Sequence, residues 1–150
     1  MKGKFITFEG ADGGGKSTQV QLAAAWLRER GYEVVTTREP GGTVLAEKVR
    51  ELVLDPNLPL NSTSQSLLYL AARSEHVEKV IRPALETGKI VLCDRFSDST
   101  LVYQGLSLGK ELAELTVLQQ LCSFVTAGLE PDLTLVLDGR PEKLAKRREL

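Results

Sequence analysis

Lys4-Phe5-Ile6-Thr7-Phe8-Glu9-Gly10-Ala11-Asp12-Gly13-Gly14-Gly15-Lys16-Ser17 decides the fold. Residues 4–8 are a β-branched and aromatic run that stops at Glu9-Gly10, as a buried strand entering a tight loop does. From Lys16 the period changes, and Val20, Ala23, Ala24 and Leu27 recur at helical spacing. Between strand and helix, Gly10 to Ser17 fits G-x-x-x-x-G-K-[ST]. Glycines there let backbone N–H groups turn inward around phosphates, and the helix N-terminus adds partial positive charge. The pattern assigns Gly10, Ala11, Asp12, Gly13, Gly14, Gly15, Lys16, Ser17 and Thr18 to ATP. Lys16, expected as an exposed loop lysine, reaches the β/γ oxygens, and Ser17 can ligate Mg²⁺.

Working outward, Gly31 supplies a stop before a second strand at residues 32–37. Thr43 can cap a helix running to about Leu54, and residues 55–63 form the longest loop-like stretch. Ser62 and Gln65 have capping-box spacing for a long helix with Val77, Val80, Ile81 and Ala84 inward, which Pro83 is expected to kink or split. Strands follow at residues 89–93 and 133–137. Between them Leu118, Leu121, Cys122 and Val125 mark a helix, and Pro141 opens a last one. Strands alternating with helices predict an α/β fold: a three-layer α/β/α arrangement, a parallel sheet with helices on both faces, in a single domain over residues 1–150.

Composition bounds the possibilities. Of 150 residues, 42% are hydrophobic, enough for a core, and 19 Lys and Arg against 20 Asp and Glu leave a net charge of -1. That balance gives no reason to expect a nucleic-acid partner or a membrane surface. Cys93 and Cys122 read as reduced, buried thiols. The first residues lead straight into a strand without a signal-peptide pattern, and no run approaches the ~20 apolar residues of a membrane span. A cytoplasmic protein is the expectation.

Ile90-Val91-Leu92-Cys93-Asp94 ends an apolar strand in an acid, so Asp94 is the candidate for holding Mg²⁺ through a water. Asp138 also follows an apolar strand. Asp94 is preferred because Arg95 adds a phosphate-binding charge at the same edge. Asp12 can be a turn former or a site carboxylate. Tyr69 and Arg73 lie four apart on a helix and can share a face, although Tyr69 could equally pack in the core. His76, the only histidine, is expected to be structural or exposed.

Together, Phe8 to Gln19, Thr37-Arg38-Glu39-Pro40-Gly41-Gly42-Thr43, Ala71-Ala72-Arg73, Asp94-Arg95-Phe96 and Tyr103-Gln104-Gly105 resemble bacterial thymidylate kinases, in the same order. The resemblance implies a P-loop NTPase fold and transfer of the γ-phosphoryl group of ATP to thymidine monophosphate (dTMP), with Mg²⁺ as cofactor and a homodimer as the assembly. By the same resemblance Asp12, Lys16 and Arg95 are catalytic, and Ser17 and Asp94 serve the metal. Glu39, Arg50, Tyr69, Arg73, Arg95, Ser99, Thr100, Tyr103 and Gln104 fall to the acceptor. Tyr69 takes a stacking position that is commonly phenylalanine in the family. Arg50 could instead sit on a solvated helix face.

Gly13 occupies the loop position where some relatives carry an arginine, so the resemblance points to a cation from a lid beginning near Lys146-Arg147-Arg148. Arg147 or Arg148 could be that cation, or both could be charges on an exposed helix. Relatives continue through the lid, further helices and a last strand, so the chain is expected to be incomplete at its C-terminus. Other readings are a kinase for another nucleoside monophosphate or a deoxynucleoside, a nucleotide-binding module without catalysis, and a nucleotide-controlled switch.

Overall fold

Alternation along the strands divides the apolar residues between two faces. Phe5, Val91, Cys93 and Val35 belong to one buried cluster, while Ile6, Phe8, Ile90, Leu92 and Val34 belong to another. Strands β1 (Lys4–Glu9), β2 (Val34–Arg38), β3 (Ile90–Asp94) and β4 (Leu133–Val136) make one sheet in the order β2-β3-β1-β4. Every pairing is parallel. The computed structural model describes residues 3–106, 109 and 111–148.

Helix α1 (Lys16–Arg28) places Val20 and Ala24 against Phe8 and Leu92 on one face. The opposite face is covered by a long helical rod: α3 (Ser62–His76), a wide π turn (Val77–Ile81) and α4 (Arg82–Glu86). Its Val77, Ile81 and Ala84 pack on Phe5, Val91 and Phe96. The three layers are those predicted. Helix α2 (Val44–Leu54) leans on α3 through Ala46, Val49 and Ala72, and α6 (Leu112–Val125) does so through Leu118, Cys122 and Leu70. Two short elements, α5 (Ser97–Thr100) and a second π turn (Leu101–Gly105), follow β3, and α7 (Pro141–Arg148) follows β4.

Several boundaries differ from the sequence reading for local reasons. Asn61, not Ser62, caps α3, its side chain accepting from the Ser64 N–H, so Ser62 begins the helix proper. Ahead of Pro83 the rod neither breaks nor splits. The Arg82 N–H reaches the Val77 carbonyl in an i→i+5 bond, and the widened turn accommodates a ring that has no N–H of its own. Strand β2 starts two residues later than predicted, because Gly31 at φ 83° and its N–H bond to Arg28 O carry the chain past the helix end first. Both cysteines are free and buried, as expected, and burial pushes their thiols up. Among the described residues no helix is long and apolar enough to cross a membrane.

Ile81 is fully buried between rod and sheet. Its replacement by alanine removes three buried carbons from a seam that cannot close around the void. Ile81→Ala should therefore lower unfolding free energy by about 3 kcal/mol in urea titrations.

Candidate active site

Parallel register brings the carboxyl ends of three strands level. Phe8 pairs with Asp94, and Asp94 with Arg38. The glycine loop leaves β1 at this edge. Gly10 has φ 131°, and a Cβ there would stand 2.3 Å from the Leu137 carbonyl oxygen, so a side chain is excluded twice over. Gly15, at φ 84°, starts α1 with no side-chain cap, leaving the first N–H groups of the helix to a ligand. Lys16 is not the exposed residue expected. It is 6% exposed, and its Nζ donates to the carbonyls of Gly10 (3.0 Å) and Ala11 (2.9 Å), folding the loop around its own ammonium. Burial pushes its pKa down, Arg95 adding to the effect while Asp94, Asp12 and Glu9 oppose it.

Asp94 and Ser17 lie together at this edge, the serine hydroxyl donating to Oδ2 at 2.5 Å. Asp138 instead accepts from the neighbouring Gly139 N–H. A hydroxyl and a carboxylate side by side at the mouth of a phosphate loop are hard oxygen donors, the set that suits a small divalent cation whose other ligands are phosphate and water.

Arg95 carries a non-glycine positive φ of 72°. Its backbone N–H is tied to Phe8 O, and the next N–H, of Phe96, donates to Glu9 Oε1 at 2.7 Å. The side chain then reaches Asp12 Oδ1 (2.7 Å), Ser99 Oγ (2.8 Å) and Tyr103 OH (3.4 Å). Ser99 in turn donates to Glu9 Oε2. Glu9 thus secures both ends of the turn that aims Arg95, a role sequence reasoning missed. The sequence carries no signal of it, because the partners lie 87 and 90 residues away.

Two of the cavities at this edge are lined by residues assigned to ATP and to the acceptor. The first, 710 Å³, is lined by residues 12–19 together with Arg38, Glu39, Arg50, Asp94, Arg95 and Arg147. Gly10 and Ala11, assigned to ATP with the rest of the loop, are not in its wall; their carbonyls face Lys16. The Arg148 side chain lies outside the described residues. The second cavity, 420 Å³, is lined by all nine residues assigned to the acceptor: Glu39, Arg50, Tyr69, Arg73, Arg95, Ser99, Thr100, Tyr103 and Gln104. Asp12, Glu39, Arg50 and Arg95 line both. Tyr69 is half-buried in this wall rather than packed in the core. Arg50 donates to Pro40 O at 3.1 Å, which draws it off the solvated helix face and onto the cavity rim.

The floor of the second cavity is a buried polar relay. Arg73, 3% exposed, donates through Nε to Glu39 Oε2 (2.6 Å) and through Nη2 to Thr100 Oγ1 (2.9 Å), while Nη1 faces Cys122 Sγ. His76 meets Glu39 from the other side. Gln65, read as a cap residue, lines the cavity and accepts from Gln104.

A glycine loop around a buried lysine, a strand-end aspartate on the loop serine, and a cationic wall shared with a second pocket define a P-loop phosphotransferase acting on a phosphorylated acceptor. Comparison with known proteins narrows the class. The thymidylate kinase family model matches residues 8–150. The chain is 47% identical over 148 residues to a thymidylate kinase of Exiguobacterium sp., covering 98% of this chain and 68% of that one. It is 50% identical over 145 residues to that of Symbiobacterium thermophilum, covering 96% of this chain and 66% of the relative. The crystal structure of thymidylate kinase from Ehrlichia chaffeensis superposes with a TM-score of 0.86 at 43% identity, covering 98% of this chain and 82% of that one. The chain belongs to the thymidylate kinase family, a family of nucleoside monophosphate kinases, and spans about two thirds of the length of these curated relatives.

Glu9 supplies a pH signature. Burial raises its pKa above the ordinary 4.5, partly offset by the bonds from Ser99 and Phe96. Because the folded-state value exceeds the unfolded one, the associated stability is complete below about pH 4.5 and is lost as pH rises through the raised value. Glu9→Gln cannot ionise. The stability advantage of the parent over this variant should therefore shrink with rising pH across that window, as read from urea midpoints; a pH-independent difference would contradict it.

Proposed function

We propose that the two cavities hold ATP and dTMP head to head, and that the protein transfers the γ-phosphoryl group to give ADP and thymidine diphosphate. What carries this reading is the wall of Asp12, Glu39, Arg50 and Arg95 common to both cavities, where two phosphates would approach each other. Such a transfer asks for alignment and charge compensation rather than covalent help from the protein.

Lys16 exchanges its two loop carbonyls for the β/γ oxygens, and the N–H groups opening α1 hold the phosphate tail. Ser17 and Asp94 are the residues that would hold Mg²⁺, which when bound offsets negative charge on the polyphosphate. Arg95 grips the acceptor phosphate, kept in position by Asp12 and Ser99. An oxygen of that phosphate attacks the γ-phosphorus, a new P–O bond forms, and the bridge to the β-phosphate breaks with its electrons remaining on ADP. Arg147, one of the two lid candidates, lines the donor cavity and can cover the transferring group. Tyr69 offers a ring to the base, while Arg73, Thr100 and Gln104 supply polar atoms at the cavity floor for its edge. The homodimer implied by the family resemblance is supported by an apolar groove between α3 and α6 that includes Leu67, Val117 and Leu121.

With ATP and Mg²⁺, the protein should phosphorylate dTMP well ahead of the uridine, cytidine and guanosine monophosphates in a coupled ADP assay. Equal rates on all four would remove the thymidylate assignment. Lys16→Ala should reduce transfer at least about a hundredfold with the circular dichroism spectrum preserved, and unchanged turnover would take Lys16 out of the mechanism.

A further inference from the structure

Of the two expectations for His76, structural or exposed, the first holds: it sits between the sheet and the floor of the second cavity with its side chain fully buried. Nδ1 lies 3.0 Å from Glu39 Oε1, and Nε2 lies 2.6 Å from Thr37 Oγ1. An ionised carboxylate only accepts, so Nδ1 carries the proton toward Glu39 and Nε2 is left to the threonine hydroxyl. The other Glu39 oxygen holds Arg73 Nε, and Arg73 Nη2 reaches Thr100. Thr37, His76, Glu39, Arg73 and Thr100 therefore form one line from β2 to the cavity floor. Gly42 locks it from the side: a Cβ there would stand 2.6 Å from the imidazole and 2.7 Å from Thr37 Oγ1, so the loop backbone rests directly on the ring.

We propose that His76 is a positioning residue for the acceptor: by orienting the Glu39 carboxylate it fixes the plane of the Arg73 guanidinium, and so sets affinity for the monophosphate's base without entering phosphoryl transfer. The proposal rests on reading the 420 Å³ cavity as the acceptor site. A carboxylate held on one side only can rotate about its last bond, and its partner arginine rotates with it. The imidazole removes that freedom. No residue of this line belongs to the glycine loop, and only Glu39 also lines the donor cavity, so the larger effect falls on acceptor binding.

Two substitutions separate positioning from bulk packing. In His76→Asn the side-chain amide nitrogen falls near the place of Nδ1 and keeps the bond to Glu39; in His76→Gln it falls near Nε2 and keeps only Thr37. Losing a hydrogen bond to a charged group is worth about tenfold or more in an equilibrium constant. The Gln variant should raise KM for dTMP about tenfold, leaving kcat within about twofold and KM for ATP within about threefold, whereas the Asn variant should stay within about twofold of the parent in all three. The Arg73 Nε–H resonance should move in the Gln variant and hold in the Asn variant, a readout that needs no turnover. Equal effects of the two variants, or effects on kcat that follow only thermal stability, would overturn the proposal. Parent protein that binds dTMP normally, with both variants binding it as tightly, would overturn this proposal alone; parent protein with no saturable dTMP binding would overturn it together with the acceptor reading beneath it.

Discussion

The pairing of Phe8 with Asp94 and of Asp94 with Arg38 sets the level at which every charged group of the site emerges. Side chains alternate across a strand, so a slip of one residue in β3 would turn Asp94 to the other face and carry Arg95 with it. Apolar residues on both faces of β3 prevent that slip. Ile90 and Leu92 are committed to α1, and Val91 and Cys93 to the helical rod, which fixes the register by burial on two sides at once. The carboxyl edge of the sheet thereby presents Glu9, Arg38 and Asp94 beside the loop, the position where open parallel sheets take their ligands.

Concentrating this much charge in a protein interior requires that each group have a partner. Among the described residues no buried side-chain nitrogen or oxygen lacks a hydrogen bond. Glu39 is shared between Arg73 and His76, Arg95 between Asp12, Ser99 and Tyr103, and Lys16 between two backbone carbonyls. These arrangements differ in kind. The Glu39–Arg73 pair is almost wholly dry, where breaking one partner leaves an uncompensated charge, while Asp12 and Arg95 meet nearer water and can part for an anion. One pair is suited to building a floor and the other to opening toward a ligand.

The glycine loop was legible in the sequence because what it requires is local: positive φ and a close approach of backbone at fixed spacing. Asp94 was preferred to Asp138 because its neighbour Arg95 carries information of its own; in the fold Ser17 donates to Asp94, while Asp138 accepts from a backbone N–H. The four-residue spacing of Tyr69 and Arg73 likewise put both on one cavity wall. Lys16 escaped, since nothing in a loop sequence says that a lysine will curl inward onto the carbonyls of Gly10 and Ala11. Glu9 and His76 were illegible for the same reason at longer range: their partners lie 87 and 37 residues away, and only the folded chain brings them together. At Pro83 the missing N–H was legible, but not the i→i+5 turn that keeps the rod continuous around it.

A wide turn of the same kind runs from Leu101 to Gly105, where the Leu106 N–H returns to the Leu101 carbonyl, and Tyr103 and Gln104 ride on it. Such a turn behaves as a helix holding one residue too many, and each residue of an α-helix advances the side-chain direction by roughly 100°. The phase of this stretch is therefore set by residue count as well as by residue type. Because the turn absorbs one residue more than an α turn, the chain beyond it keeps its direction while the side chains inside it, Tyr103 and Gln104 among them, take directions that ordinary helix winding would not give, so spacing here is itself a determinant of which groups face the pocket.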